Sequence, residues 1–446
     1  MNQPQRKRCS WQEPTFIAEQ LAKTWGEAGL VWLDGDGSAL GRWVTLAADP
    51  INQVCCHGLP GSSDATNPFE ALRHLEPGHW SGWLSYEAGA WIEPKNPWKA
   101  DSMATLWMAQ HDPVLRFDLQ NQQLWIEGCD SNRLQAWMSW LEAISSKEKP
   151  ADVESQLPIK ANRHRISVDA WQWHTSETNY ANNVEQIQDW IGHGDLFQAN
   201  LSTCCTTELT ENNAALEIFQ KLRRHCPAPF AGLVIASGKA AGEAVISASP
   251  ERFLHVLPTG EVETRPIKGT RPRHHQAEQD ADLAADLVCS NKDRAENVMI
   301  VDLMRNDLGR VCQPGSITVP QLVGLESYPQ VHHLTSVVQG QLRPEQTWVD
   351  LLQACWPGGS ISGAPKLRAC QRLAELEPTP RGPYCGSLLR LDWDNRLDSS
   401  ILIRSLMLKG STLRAHAGCG IVADSNPQNE AEELSWKLLP LLQALQ

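Results

Sequence analysis

No run of about 18 consecutive apolar residues, the length that spans a bilayer as a helix, occurs in this 446-residue chain. No membrane-spanning helix is therefore expected. The opening MNQPQRKRCSWQEP has basic residues but no apolar stretch behind them, which leaves out a secretory signal. No Cys-x-x-Cys pair exists among the 13 cysteines; Cys55-Cys56 and Cys204-Cys205 are adjacent, a spacing that suits neither zinc nor a disulfide framework. A reduced, cytoplasmic protein is the expectation. Positive charge is also scarce: 39 Lys and Arg face 52 Asp and Glu, for a net charge of −13. Non-specific nucleic-acid binding draws its energy from cations neutralising phosphates, so no nucleic acid is expected as partner. An anionic substrate would need positive charge concentrated at its site.

What is present reads as globular. The chain is long enough for two or three ordinary domains. Tryptophan is abundant, 19 in all, and packing accounts for it better than chemistry does. Residues 1–150 read as a β-rich region, with short apolar segments at 29–33, 42–46 and 123–126 punctuated by Gly, Asp and Pro. SSKEKPADVESQLP at 145–158 is polar, charged and Pro-bounded, and is the best candidate linker. A mixed α and β pattern follows over 165–440. Tyr180, Val184, Ile187 and Ile191 recur at helical spacing, with Gly192 as a stop. Residues 196–207 read as a strand. Residues 243–255 and 261–264 read as two strands joined by the turn Pro258-Thr259-Gly260. Residues 295–308 and 348–355 read as helices, and 404–408 with 413–416 as a strand pair. The last helix is expected to begin near Ser425, with Ser425 and Gln428 at capping-box spacing and Pro427 in the first turn.

Four pieces could carry chemistry. The 295–308 helix holds Glu296, Asp302, Arg305 and Asp307 among apolar residues; ion pairs with Arg294, Arg305 and Arg310 would explain them, since an unpaired buried carboxylate is costly. Glu430, Glu433 and Lys437 share one face of the last helix. They make either a solvated face with a Glu433–Lys437 pair or, if the fold brings another carboxylate alongside, the hard oxygen ligands that Mg²⁺ prefers. GGSISGAPK at 358–366 is a glycine-rich loop with two hydroxyls and a lysine, able to bring backbone N–H groups to an anion but not a Walker loop. Lys268 lies in RPIKGTR at 265–271. It is either a surface lysine in a turn or a nucleophile, whose amine Arg265 and Arg271 could help to keep neutral.

Together and in this order, the segments resemble the chorismate-utilising enzymes, among them the anthranilate, aminodeoxychorismate, isochorismate and salicylate synthases. The matching motifs are GDLFQANLS at 194–202, SPERF at 249–253, TRPIKGTRPR at 264–273 and KDRAENVMIVDLMRNDLGRV at 292–311. HHLTS at 332–336, GGSISGAPK at 358–366, RGPYCG at 381–386 and AGCGIVADSNPQNEAEELSWK at 417–437 complete them. WSGWLSYEAG at 80–89 matches more loosely. The resemblance implies an α+β fold of two packed antiparallel sheets with outer helices, in which 1–150 forms an N-terminal region and 165–440 the chorismate-binding catalytic domain.

Within the family, Lys268 matches the members that aminate chorismate at C4; those that make anthranilate carry alanine there. Gln198 stands where water-using members carry a lysine base, which implies ammonia as nucleophile. Trp32-Leu33-Asp34-Gly35 replaces the Leu-Leu-Glu-Ser of tryptophan-sensing members, so feedback by tryptophan is not implied. The resemblance makes Glu251 the general acid for the departing C4 hydroxyl, and Lys268 the amine that attacks C2 before ammonia adds at C4. Glu296 and Glu433 would hold Mg²⁺, with Glu430 contributing through water. Arg404, Tyr384, Lys366 and the amides of Gly418, Cys419 and Gly420 would bind carboxylates, and His333 and Ser360 would line the ring pocket. No Gly-x-Cys-x-Gly elbow of a glutaminase is present. Ammonia is therefore expected from a separate glutamine amidotransferase subunit, in a route to p-aminobenzoate and folate.

Overall fold

Val31 and Trp32 are neighbours in sequence but lie in different hydrophobic cores, as do Leu46 and Ala47, Leu233 and Val234, and Val245 and Ile246. Side chains alternate across a strand, so a strand apolar on both faces has to be covered on both. In a computed structural model of the chain, which describes residues 3–145, 165–210, 214–328 and 331–446, these strands belong to a sheet of twelve. One face packs on the helices Pro14–Trp25, Ser131–Ser145, Glu177–Gly192, Ala215–His225 and Pro427–Gln443 through Ile17, Leu134, Val184, Phe219 and Leu438. The other face packs on a second sheet, of ten strands, through Trp83, Leu106, Leu254 and Ile401. The helices Asn291–Gly309 and Trp348–Cys355 add Ile300, Met304 and Leu351 to that inner core. Neighbouring strands run antiparallel in both sheets, so the implied fold of two packed antiparallel sheets with outer helices is the one observed.

Both sheets contain strands from residues 1–150. Val31–Leu33 pairs with Phe230–Ile235, and His79–Leu84 pairs with Ser387–Leu391. Of the candidate linker at 145–158, all but Ser145 lies outside the described residues. All 13 cysteines are free thiols. Among the described residues no helix is long and apolar enough to cross a membrane.

Two expectations need correction. The stretch 243–255 is not one strand. Glu243–Ser249 lies in the larger sheet and Arg252–Val256 in the smaller, with the step between them at Pro250-Glu251. Proline cannot donate to a ladder, so the change of sheet falls where pairing is already broken. A second crossing runs beside it, from Leu397–Ile401 in the smaller sheet to Ser405–Lys409 in the larger. The two are tied together: Ile401 N–H donates to the Glu251 carbonyl at 3.1 Å, and Ala248 N–H to the Arg404 carbonyl at 3.0 Å. Arg404 itself has φ +50°, in the left-handed region that side chains other than glycine seldom occupy. The second correction concerns the last helix. Its N-cap is Asn426, whose side chain accepts from the N–H groups of Gln428 and Asn429, and no Ser425–Gln428 box forms. Ser425 instead donates its hydroxyl to Glu430 at 2.8 Å.

Candidate active site

The lysine in RPIKGTR is aimed by a flaw in its strand. Ile267 opposes Thr335 and Thr270 opposes His333, so three residues of the Ile267–Pro272 strand span two of its partner. The extra residue makes a bulge at Lys268-Gly269, the kind of irregularity that redirects a side chain out of a ladder. Gly269 takes φ +86°, and a Cβ on it would lie 2.9 Å from both Asp293 Cβ and Leu287 Cδ1; only glycine fits. The bulge puts Lys268 Nζ 3.7 Å from Glu296 Oε2. The same nitrogen lies 3.1 Å from where a Cβ of Gly420 would be, and Gln198 Nε2 is closer still to that point. Lys268, Gln198 and Gly420 therefore converge where the edge regions of the two sheets meet. The cationic neighbourhood expected from Arg265 and Arg271 is absent. Arg265 pairs with Glu263 and Glu326, and Arg271 with Asp286 and Asp293.

Glu251 sits on the first crossing, 4% exposed. Burial pushes its carboxyl up to about 7, while a hydrogen bond from Ser360 and the charge of Lys268 pull the other way. A carboxylic acid that is still protonated near neutrality is suited to donate a proton. His333 lies opposite the bulge; its Nδ1 is 2.8 Å from the Thr270 hydroxyl, and its buried Nε2 has no partner among the described residues. Burial, reinforced by Arg404, holds this imidazole down at about 3, so the ring is neutral. Gln198 Oε1 is likewise buried without a partner. Unpaired buried polar atoms are rare and costly, and two of them here point to polar groups that the site is built to receive.

On the second crossing, the guanidinium of Arg404 makes no hydrogen bond or ion pair with any described residue, and burial pulls its proton affinity down. A desolvated, unpaired arginine is a ready site for a carboxylate. Gly418 and Gly420 lie on the Thr412–Ile421 strand opposite Ser202 and Asn200. The neighbouring Ser405–Lys409 strand pairs only as far as Ala415, so beyond it the glycine segment has one unpaired edge. The Cys419 side chain is buried beside the last helix, with its Sγ 3.5 Å from Lys437 Nζ. Tyr384 is buried and stacks on His416 with centroids 4.9 Å apart. Lys366 is not available as an anion binder. Its ammonium is buried in an ion pair with Asp307 at 2.5 Å and donates to the Cys355 carbonyl at 2.8 Å. That bond also gives Asp307 a different partner from the arginines expected for it, whereas Asp302 does pair with Arg305 at 2.9 Å.

The three glutamates read as metal ligands surround a shared set of cations. Burial raises the Glu296 carboxyl; Lys268 and Lys292 oppose this, and Glu430 adds to it. Glu430 meets Lys292 at 3.5 Å, and Glu433 meets Lys437 at 2.8 Å. Burial would raise Glu433, but Lys437, Lys292 and Lys268 hold it below the usual range. One oxygen each of Glu430 and Glu433 lies within 4.8 Å of the other and of Cys419 Sγ. Carboxylates whose charge is balanced only by borrowed lysines fit a hard divalent cation. The sequence reading missed Lys292 as a site residue, though its i, i+4 spacing to Glu296 on one helix was a usable signal.

The family of chorismate binding enzymes matches residues 41–443 of the chain. Aminodeoxychorismate synthase component 1 of Klebsiella aerogenes is 39% identical over 406 residues, covering 90% of this chain and 84% of that protein. Its counterpart in Bacillus subtilis is 35% identical over 373 residues, covering 82% of this chain and 76% of that one. Among solved structures, anthranilate synthase component I from Streptococcus pneumoniae superposes with a TM-score of 0.74 at 28% identity, over 90% of this chain and 92% of that one.

Proposed function

The chain belongs to the chorismate binding enzymes, and on that premise we propose that it joins ammonia to C4 of chorismate, giving 4-amino-4-deoxychorismate with the pyruvyl group retained. The observation that carries the reading is the Lys268 bulge, which sets a lysine amine beside Gln198 and Gly420 and within the field of a protonated Glu251. Glu251 donates its proton to the departing C4 hydroxyl. The Lys268 nitrogen forms a bond to C2 through its lone pair as the C4–O bond breaks. Ammonia then bonds to C4, the C2–N bond breaks with its electrons returning to the lysine nitrogen, and the proton shed by the new amine restores the Glu251 carboxyl. The net reaction is an amino-group transfer to chorismate that releases water. Arg404 and the Gly418 and Gly420 amides bind carboxylates, with Tyr384 alongside. His333 and Ser360 line the ring pocket.

Magnesium, where bound, would be held by Glu296 and Glu433 with Glu430 behind them, and would neutralise a substrate carboxylate. Glu433→Gln is expected to raise the magnesium concentration needed for half-maximal activity by about tenfold or more, without change in far-UV circular dichroism. An unchanged magnesium titration would remove Glu433 from the ligand set. The ammonia donor that fits this reading is a glutamine amidotransferase subunit. Chorismate, Mg²⁺ and ammonium chloride incubated with the purified chain should yield aminodeoxychorismate by mass spectrometry. Anthranilate fluorescence as the sole product signal would reject the reading in favour of an anthranilate-forming enzyme.

A further inference from the structure

Arg381 stands apart from the residues assigned above and is more deeply embedded than most of them, with its guanidinium 2% exposed. Nε and Nη2 grip Glu377 as a fork, at 2.9 and 2.7 Å. Nη2 also donates to the Asn200 carbonyl at 2.6 Å, and Nη1 to the Ile361 carbonyl at 2.9 Å. Glu377 accepts in turn from the N–H and the hydroxyl of Ser202, both at 2.8 Å. From the N-terminal region, Glu87 accepts the backbone N–H of Arg381 at 2.9 Å.

Each tethered point is a short step from a site group. Asn200 is two residues from Gln198 on the same face of its strand, and opposes Gly420. Ile361 follows Ser360, whose hydroxyl pulls the Glu251 carboxyl down. Tyr384 lies three residues beyond Arg381. A buried ion pair is weak as a source of stability, because desolvation offsets most of its attraction. What a planar fork supplies instead is fixed direction at several acceptors at once.

We propose that Arg381, clamped on Glu377, is a positioning residue for the amination: it holds the Asn200 and Ile361 carbonyls so that Gln198 and the Ser360–Glu251 pair stay aligned on the substrate. This rests on the functional reading above. Arg381→Lys keeps the charge but cannot reach Glu377 and both carbonyls together. It should lower kcat about tenfold or more. It should also move the alkaline limb of the pH–rate profile upward, by about half a pH unit or more, because the Ser360 bond that lowers the Glu251 pKa is loosened. Ser360→Ala should move the limb in the same direction.

Should Arg381→Lys fold poorly, Glu377→Gln tests the same clamp from its other end and should shift the limb likewise. Ile17→Val, a core change in the outer layer, should lower thermal stability and leave the limb in place. If the Arg381 and Glu377 variants lose activity only in proportion to their folded fraction, with the limb unmoved, the clamp is structural and the proposal falls. If the wild-type chain itself fails to aminate chorismate, the functional reading falls and takes this inference with it.

Discussion

Lys268→Ala is expected to cut aminodeoxychorismate formation by about 100-fold or more, roughly 2.7 kcal/mol of transition-state stabilisation at ~1.36 kcal/mol per tenfold, and to let anthranilate appear among the products. In the proposed route the lysine occupies C2 while ammonia enters at C4. Without it C2 is open, ammonia can add there, and loss of pyruvate from that adduct leads to the aromatic amine. The variant should fold normally, because the Ile267–Pro272 strand is held by backbone pairing and by Gly269, neither of which involves the side chain. Mass spectrometry of the wild-type protein quenched during turnover should find a chorismate-derived adduct on Lys268. Full ammonia-dependent activity in Lys268→Ala, or an adduct on a different lysine, would end the covalent route.

The same lysine marks the limit of what the sequence disclosed. Its identity and its glycine neighbour were legible, and so was the choice it implies within the family. The reason for its placement was not. A bulge is a relation between two strands about 65 residues apart, and Arg265 and Arg271, which looked like modulators of the amine, turn out to be consumed by carboxylates that the fold brings to them. Local periodicity found the helix that ends at Gly192 because Tyr180, Val184 and Ile187 form one buried stripe facing the outer core of the larger sheet. It could not find the change of sheet at Pro250-Glu251, because both halves of 243–255 are apolar and extended and differ only in their partners. Lys366 illustrates the reverse error. A lysine after a glycine-rich loop reads as an anion binder, yet burial forces it to take an internal carboxylate.

Glu251→Gln is expected to lower kcat by about 10²–10⁴-fold, the usual contribution of a placed general acid, and to abolish a specific feature of the pH profile. The Glu251 carboxyl titrates at about 7, against an ordinary 4.5. The acid works only when protonated, so wild-type turnover should fall as pH rises through about 7, measured with free ammonia held constant so that the nucleophile does not change along the series. Glutamine has no such proton, and its residual rate should be flat across that limb. Stability falls with rising pH as well. A carboxyl whose folded value is raised contributes fully below 4.5, and its contribution is lost as pH rises from there to about 7; above that, a buried charge opposes folding. The glutamine variant escapes the loss, so at pH 8 it should melt at or above the wild-type temperature while turning over far more slowly. Lower activity and lower stability together at pH 8 would mean that Glu251 supports the two crossings rather than the reaction.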